Sequence, residues 1–220
     1  AAVVGVVMGS VSMAYTQYFF EIANTHSDKE SKSILGKFNH LYMLLVLVTC
    51  FIIILFSYEF IFLLLDQQYQ GAFIFIPVIV VAYFFKQGDG LIGTYFKQSK
   101  RTKQEALITI FIAGVNVLLN FLIVPKYGAI GAAYTTLISF AMGFGISYLY
   151  TREYCYFIPL KWKNLLLVAA ILTGIIFFSI QLSKHIDTYL LILLKGSILI
   201  MGFFIILKKY GNKFKEVLQY

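Results

Sequence analysis

Charged and amide side chains lie inside long apolar runs of this sequence, where they could bind a polar ligand. Lys86 and Asp89 interrupt one run at a spacing of three residues, which places both on one face of a helix. Lys195 lies inside the last run, and Asn116 and Asn120 lie one helical turn apart in another. An ammonium within a membrane protein can attract an anion, and amides hydrogen-bond between helices. These five residues are therefore our candidate substrate-binding positions in a cavity.

Each of these residues also has a purely structural interpretation. Lys86 could extend to the cytoplasmic headgroups, and we weigh this equally with binding, since an unpaired charge in mid-membrane costs about 3 kcal/mol. Asp89 could neutralise it from one turn away. For Lys195 we favour extension to the outer headgroups. For Asn116 and Asn120 we favour contacts between helices over a water-filled lumen.

The composition indicates that lipid is the solvent of this chain. Of 220 residues, 60% are apolar and 13% are charged, about half the usual charged fraction. The net charge of +8 does not indicate nucleic acid, because the basic residues lie in short connectors between apolar runs rather than on one soluble face. Cys50 and Cys155 offer no disulfide framework or metal-ligand spacing. We therefore predict an all-α integral membrane protein with no cofactor and no metal.

Apolar runs separated by charge clusters predict about seven transmembrane helices in one bundle over residues 1–220. Each run is long enough to cross a hydrocarbon core of about 30 Å. Because the first run lacks an initiator Met and a preceding basic region, we expect the chain to be a fragment of a longer protein. The predicted spans are 1–22, 38–57, 71–94, 106–124, 129–150, 164–183 and 188–207.

The connectors differ strongly in basic charge, which predicts their orientation. Alternate connectors, counted together with Lys86 of the third span, carry fifteen of the eighteen Lys and Arg residues, whereas the other set carries only Lys126 and Lys184, and Lys195 lies within the last span. Lys and Arg resist translocation, so the basic connectors should be cytoplasmic. The chain should then begin outside and end in the cytoplasm.

The fourth and fifth predicted spans carry small and polar residues at helical spacing. Only Pro125 to Gly128 separate the two spans, so we expect an antiparallel hairpin in which the two stripes meet. In the third span we expect one tilted helix to continue past the Lys86–Gly90 segment, because a helix ending at Phe85 would be short for a crossing. The stripes comprise Thr109, Ala113, Asn116 and Asn120 in one span, and Ala132, Thr136, Ser139, Gly143 and Ser147 in the other.

The stretch from Asn116 to Ser139 resembles polysaccharide-biosynthesis flippases of the multidrug/oligosaccharidyl-lipid/polysaccharide exporter superfamily. These proteins typically show an Asn-containing helix followed by I-P-x-Y-G-x-x-G-A-A-x-x-T. Upstream, the segment 63–73 resembles the L-x-G-x-x-Y-x-x-A element of the family, with Asp66 where glycine is commoner. The signature residues here are Asn116, Asn120, Pro125, Tyr127, Gly128, Gly131, Ala132, Ala133 and Thr136.

The resemblance implies a fourteen-helix transporter with cytoplasmic termini, of which this chain would form the eighth to fourteenth helices. It implies two lobes around a cavity and transport of an undecaprenyl-diphosphate-linked oligosaccharide across the bacterial cytoplasmic membrane. Membrane lipid and other polysaccharide-assembly proteins would be further partners. Gly128, Gly131, Ala132 and Thr136 would form the helix-packing motif.

Two other functions remain open. A multidrug exporter of the same superfamily would carry acidic residues within its spans, whereas this chain shows more intramembrane Lys than Asp or Glu. A membrane-embedded glycan ligase or acyltransferase would need a catalytic cluster, and His26, His40 and His185 form no recognisable catalytic arrangement. We therefore expect a transporter and not an enzyme.

Overall fold

The structure, a computed structural model, describes residues 2–64, 71, 73–182 and 195–197. Regular secondary structure in these residues is helical, with no strand, which confirms the all-α prediction for this part of the chain. The chain divides into two compact units, Ala1–Lys161 and Trp162–Tyr220. The helices are α1 (Ala2–Thr25), α2 (Asp28–Leu55), α3 (Ser57–Leu64), α4 (Ile76–Gln98), α5 (Thr102–Tyr154) and α6 (Trp162–Leu182).

Three of the described helices, α2, α4 and α5, are long and apolar enough to cross a membrane. The apolar stretch of α6, Trp162–Phe177, is shorter. These lengths are compatible with an integral membrane protein. The predicted span 188–207 lies outside the described residues except for 195–197.

Helix α2 begins ten residues before the predicted span 38–57. The span was predicted from an apolar run and therefore omits the first turns of the helix, which are polar. Asp28 and Glu30 lie in the first turn, where negative charge interacts favourably with the helix dipole. Ser27 precedes the helix in an extended conformation, and its hydroxyl donates to Glu30 Oε2 at 2.8 Å. The helix ends at Leu55, and the short helix α3, which the spans did not include, follows.

Helix α4 confirms that the third span continues through its polar interruption. It begins with Pro77 in its first turn and runs unbroken past Gly88 and Asp89 to Gln98. Gly88 is needed for close packing, since a Cβ at this position would lie 2.7 Å from the Phe144 ring of α5. The glycine therefore lets α4 and α5 approach each other.

Helix α5 is a hairpin of two helical arms, 102–127 and 129–154, joined at Gly128. Gly128 has φ 57° and ψ −139°, outside the helical region and strained for any residue with a side chain. Hydrogen bonds join Asn116 to Ser139 and Asn120 to Thr135, at nearly equal sequence distances on either side of Gly128. The arms are therefore antiparallel, as the short connector predicts.

One end of the first unit gathers the ends of several helices. Gln98 Nε2 donates to Asn24 Oδ1 at 3.4 Å, and the backbone N–H of Tyr156 donates to Ser99 Oγ at 2.7 Å. Arg101 donates to the Tyr150 hydroxyl at 3.0 Å. The opposite end of the α5 hairpin carries Lys126. At the gathered end, which we call the basic end, lie Lys29, Lys32, Lys97, Lys100, Arg101, Lys103, Arg152 and Lys161.

Candidate functional site

The two arms of α5 are joined by a chain of side-chain hydrogen bonds. Asn116 Nδ2 donates to Ser139 Oγ at 3.1 Å and to the Thr135 carbonyl at 3.4 Å. Asn116 Oδ1 accepts from Asn120 Nδ2 at 3.0 Å, and Asn120 Oδ1 accepts from the Thr135 hydroxyl at 2.6 Å. Both hydrogens of the Asn116 amide and the carbonyl oxygens of both asparagines are thus engaged inside the hairpin. This geometry favours the helix-contact interpretation of the asparagines.

The sequence stripe on the second arm misses one of the residues that make these contacts. Thr135 is buried and bonds to Asn120, whereas the hydroxyl of Thr136 donates to the Ala132 carbonyl of its own arm at 2.8 Å. Gly131 is buried, and a Cβ there would lie 3.0 Å from Tyr127 Cβ. Close packing near the turn therefore centres on Gly131, and bonding between the arms uses Thr135.

A cavity of about 240 Å³, open to the surface of the described structure, lies between α4 and both arms of α5. Its volume is below the range of a typical drug-sized pocket, so it fits a small polar group rather than a whole large ligand. Two charged residues, Lys86 and Asp89, share it with Asn116. The remaining lining residues are Ile108, Thr109, Ile112, Ala113, Ser139, Phe140 and Gly143.

Lys86 lies near the middle of α4, far from either end. Twelve residues separate it from Gln98 and ten from Ile76, which is about 18 Å and 15 Å along the helix axis. If α4 crosses a membrane, these distances exceed the reach of a lysine side chain extending towards the headgroups. In that case Lys86 could not reach the headgroups, and its role in substrate binding stays a prediction.

The Lys86 ammonium contacts an aromatic ring rather than the expected acidic partner. Lys86 Nζ lies 5.3 Å from the ring centroid of Phe140, on the second arm of α5. Among the described residues, no ion pair joins Lys86 to Asp89, although both line the cavity. The ion pair between Lys86 and Asp89 that the sequence predicts is thus not formed. The positive and the negative group line the cavity separately.

The other two candidate binding residues lie elsewhere. Asn120 is one turn nearer the Gly128 kink than Asn116 and is not among the residues that line the cavity. Lys195 belongs to the second unit, where it is buried within the short described segment 195–197. Of the five candidate binding residues, Lys86, Asp89 and Asn116 line the cavity and the other two do not.

A buried polar chain that the sequence analysis missed holds α4 in place. The Tyr15 hydroxyl donates to Asn39 Oδ1, and Asn39 Nδ2 donates to the Tyr95 hydroxyl, both at 2.7 Å. The Tyr95 hydroxyl donates in turn to the Ile158 carbonyl at 3.3 Å. Asn39 lies at the edge of the predicted span 38–57, and an amide in that position was the signal available. These hydrogen bonds connect α1, α2, α4 and the segment after α5.

A second contact orients the part of α4 that carries the cavity residues. The Tyr42 hydroxyl donates to Gln87 Oε1 at 3.0 Å. Gln87 is the neighbour of Lys86, so this bond fixes the rotation of α4 at the cavity.

Over the described residues, no group of three or more His, Cys, Asp or Glu side chains is placed to hold a metal ion.

No protein-family model, curated protein or solved structure matches this chain.

Proposed function

We propose that this chain forms the eighth to fourteenth helices of a transporter that moves an undecaprenyl-diphosphate-linked oligosaccharide across the bacterial cytoplasmic membrane. The observation that carries the proposal is an ammonium group, that of Lys86, in a cavity halfway along a helix long enough to cross a membrane. The resemblance of the segment 116–139 to polysaccharide flippases supplies the substrate class.

The chemistry of the cavity suits an anionic group. A lysine in mid-membrane is costly, and such residues usually face a water-filled path and mark the route of a substrate. Lys86 forms no ion pair with another described residue, so its ammonium is not held by the Asp89 carboxylate that lines the same cavity. A diphosphate that enters the cavity would gain charge-assisted hydrogen bonds from the ammonium.

The orientation we propose places the basic end in the cytoplasm. That end gathers eight Lys and Arg residues of the first unit, and the opposite end of the α5 hairpin carries Lys126. Basic residues flanking membrane helices remain on the cytoplasmic side. The C-terminus would then also be cytoplasmic, because the predicted spans cross the membrane seven times.

The proposal is tested by glycan export in a strain that lacks the native transporter, using the full-length protein at matched membrane levels. Lys86→Ala should abolish export, and Lys86→Arg should retain much of it, because arginine keeps the charge and binds phosphate. Lys103→Ala, which removes an exposed lysine from the first turn of α5, serves as the matched control and should export normally. Normal export by Lys86→Ala would contradict the proposal.

A multidrug or cation-coupled exporter of the same superfamily is the second candidate, and Asp89 is the observation that favours it. Its carboxylate lines the same cavity, where it could attract a cationic substrate or coupling ion. Asp89→Asn separates the candidates. Loss of drug resistance conferred by the wild-type protein, with no effect of Lys86→Ala, would favour the multidrug exporter.

A further inference from the structure

An aromatic ring lies directly at the cavity lysine. Lys86 Nζ is 5.3 Å from the centroid of the Phe140 ring, and both residues line the cavity. Tyr83, one turn before Lys86 on α4, packs against the same ring at a centroid distance of 6.2 Å and an interplanar angle of 87°. Two side chains of α4 therefore hold the Phe140 ring from the second arm of α5.

The face of a phenyl ring carries a negative partial charge that attracts a cation within about 6 Å. Lys86 is an exposed residue of the described structure, so the attraction lies at the weaker, solvated end of the range for such contacts. A carboxylate at the same place would also hold the ammonium, but it would cancel the charge. The ring instead fixes the position of Lys86 and leaves its net positive charge and its N–H donors available to an anion.

We propose that Phe140 is a positioning residue that holds the Lys86 ammonium in the cavity, ready to bind an anionic group of the transported substrate. The second half of this statement rests on the proposed function, whereas the first half concerns the protein alone. Tyr83 supports the arrangement by fixing the orientation of the Phe140 ring.

The positioning can be measured without transport. Lysines of the full-length protein in lipid nanodiscs are dimethylated with ¹³C, which preserves their charge, and the Lys86 resonance is identified by its absence in Lys86→Arg. Methyl groups over an aromatic face should show an upfield ring-current shift. Phe140→Leu should abolish the shift and Phe140→Tyr should retain it. Phe121→Leu is the matched control, since Phe121 is 78% exposed on the other arm.

Export kinetics test the consequence for the substrate. Phe140→Leu should raise KM about threefold with kcat largely retained, which corresponds to the loss of a cation–π contact at an exposed lysine. Phe140→Tyr should restore KM. If Phe140→Leu does not accumulate in the membrane, 3,4,5-trifluorophenylalanine at position 140 keeps the shape of the ring, weakens the charge of its face and should raise KM in the same direction.

The outcomes separate the two proposals. A Lys86 resonance that is unchanged by Phe140→Leu overturns the positioning role, whatever the transport result. A shifted resonance together with normal export by Lys86→Ala supports the positioning of the ammonium and overturns the transport role of the cavity. Fluorination that leaves KM unchanged, in a protein that needs Lys86 for export, overturns the claim that Phe140 serves substrate binding.

Discussion

Gly131→Leu should destabilise the protein by forcing apart the two arms of α5. Gly131 is buried near the Gly128 kink, where the arms lie closest together along the chain. A Cβ added there would lie 3.0 Å from Tyr127 Cβ, 3.1 Å from Ile123 Cγ2 and 3.3 Å from the Ile123 carbonyl oxygen. The last of these is a backbone atom, so the first arm itself must move to admit even an alanine.

Two opposing effects set the size of the change. Replacing a helical glycine by leucine gains up to about 0.8 kcal/mol of helix propensity. Overpacking costs about 1–3 kcal/mol in a well-packed site, and leucine adds three carbon atoms beyond the Cβ that is already too close. We therefore expect a net loss of about 0.2–2 kcal/mol in the free energy of unfolding, where each 1.4 kcal/mol is about a tenfold shift in the unfolding equilibrium.

The assay is reversible unfolding of the full-length protein in mixed micelles, followed by membrane expression and transport activity. Gly114→Leu is the matched control on the first arm, because no atom lies within 4 Å of a Cβ there. Gly114→Leu should gain the higher helix propensity of leucine without a steric clash, and it should be at least as stable as the wild type. A Gly131→Leu protein that is equally stable but inactive would refute the packing argument and would assign Gly131 to the transport path.

Two further predictions concern the hairpin and its orientation. Asn116→Leu should lower the free energy of unfolding by about 1–2 kcal/mol in the same assay. It removes two hydrogen bonds between the arms, worth about 0.6 kcal/mol each, and leaves Asn120 with an unpaired amide. An Asn116→Leu protein as stable as the wild type would contradict the role of these hydrogen bonds. A membrane-impermeant maleimide should modify Tyr127→Cys in intact cells, whereas Cys155 at the basic end should react only in inverted membranes. Burial raises the pKa of the Cys155 thiol, although the Ser99 hydrogen bond and Arg101 oppose the shift, so less thiolate is present at neutral pH and the labelling rate should increase steeply as the pH rises. Labelling of Cys155 in intact cells would reverse the proposed topology.

The hairpin could be predicted because its signals are local. A connector of four residues forces the two arms to be antiparallel, and the helical period places Asn116 and Ser139 on the facing sides. The period cannot choose between neighbouring residues at the edge of a stripe, so the predicted stripe contains Thr136, whereas Thr135 makes the contact with Asn120. A rotation of one residue changes the facing side by about 100°.

The contacts of Lys86 could not be predicted, because they depend on a different helix. Sequence spacing put Lys86 and Asp89 on one face of α4 and indicated an ion pair. Phe140, fifty-four positions later, is brought to Lys86 only by the packing of α4 against the second arm of α5. The same limitation applies to Asn39, whose partners Tyr15 and Tyr95 belong to α1 and α4.

The polar groups of the first unit fall into two kinds, and the difference decides where a ligand would bind. One kind is already hydrogen-bonded to other parts of the protein, as in the amides of Asn116, Asn120 and Asn39. A ligand could bind these amides only by breaking bonds between helices. Lys86 lies over the face of the Phe140 ring, and within the part of the chain that the structure describes it forms no ion pair with Asp89. Charged groups that have no ionic partner are the ones with free energy still to gain from a ligand. The asparagines therefore set the spacing of the helices, and the charged pair of α4 is the place where substrate binding should be sought.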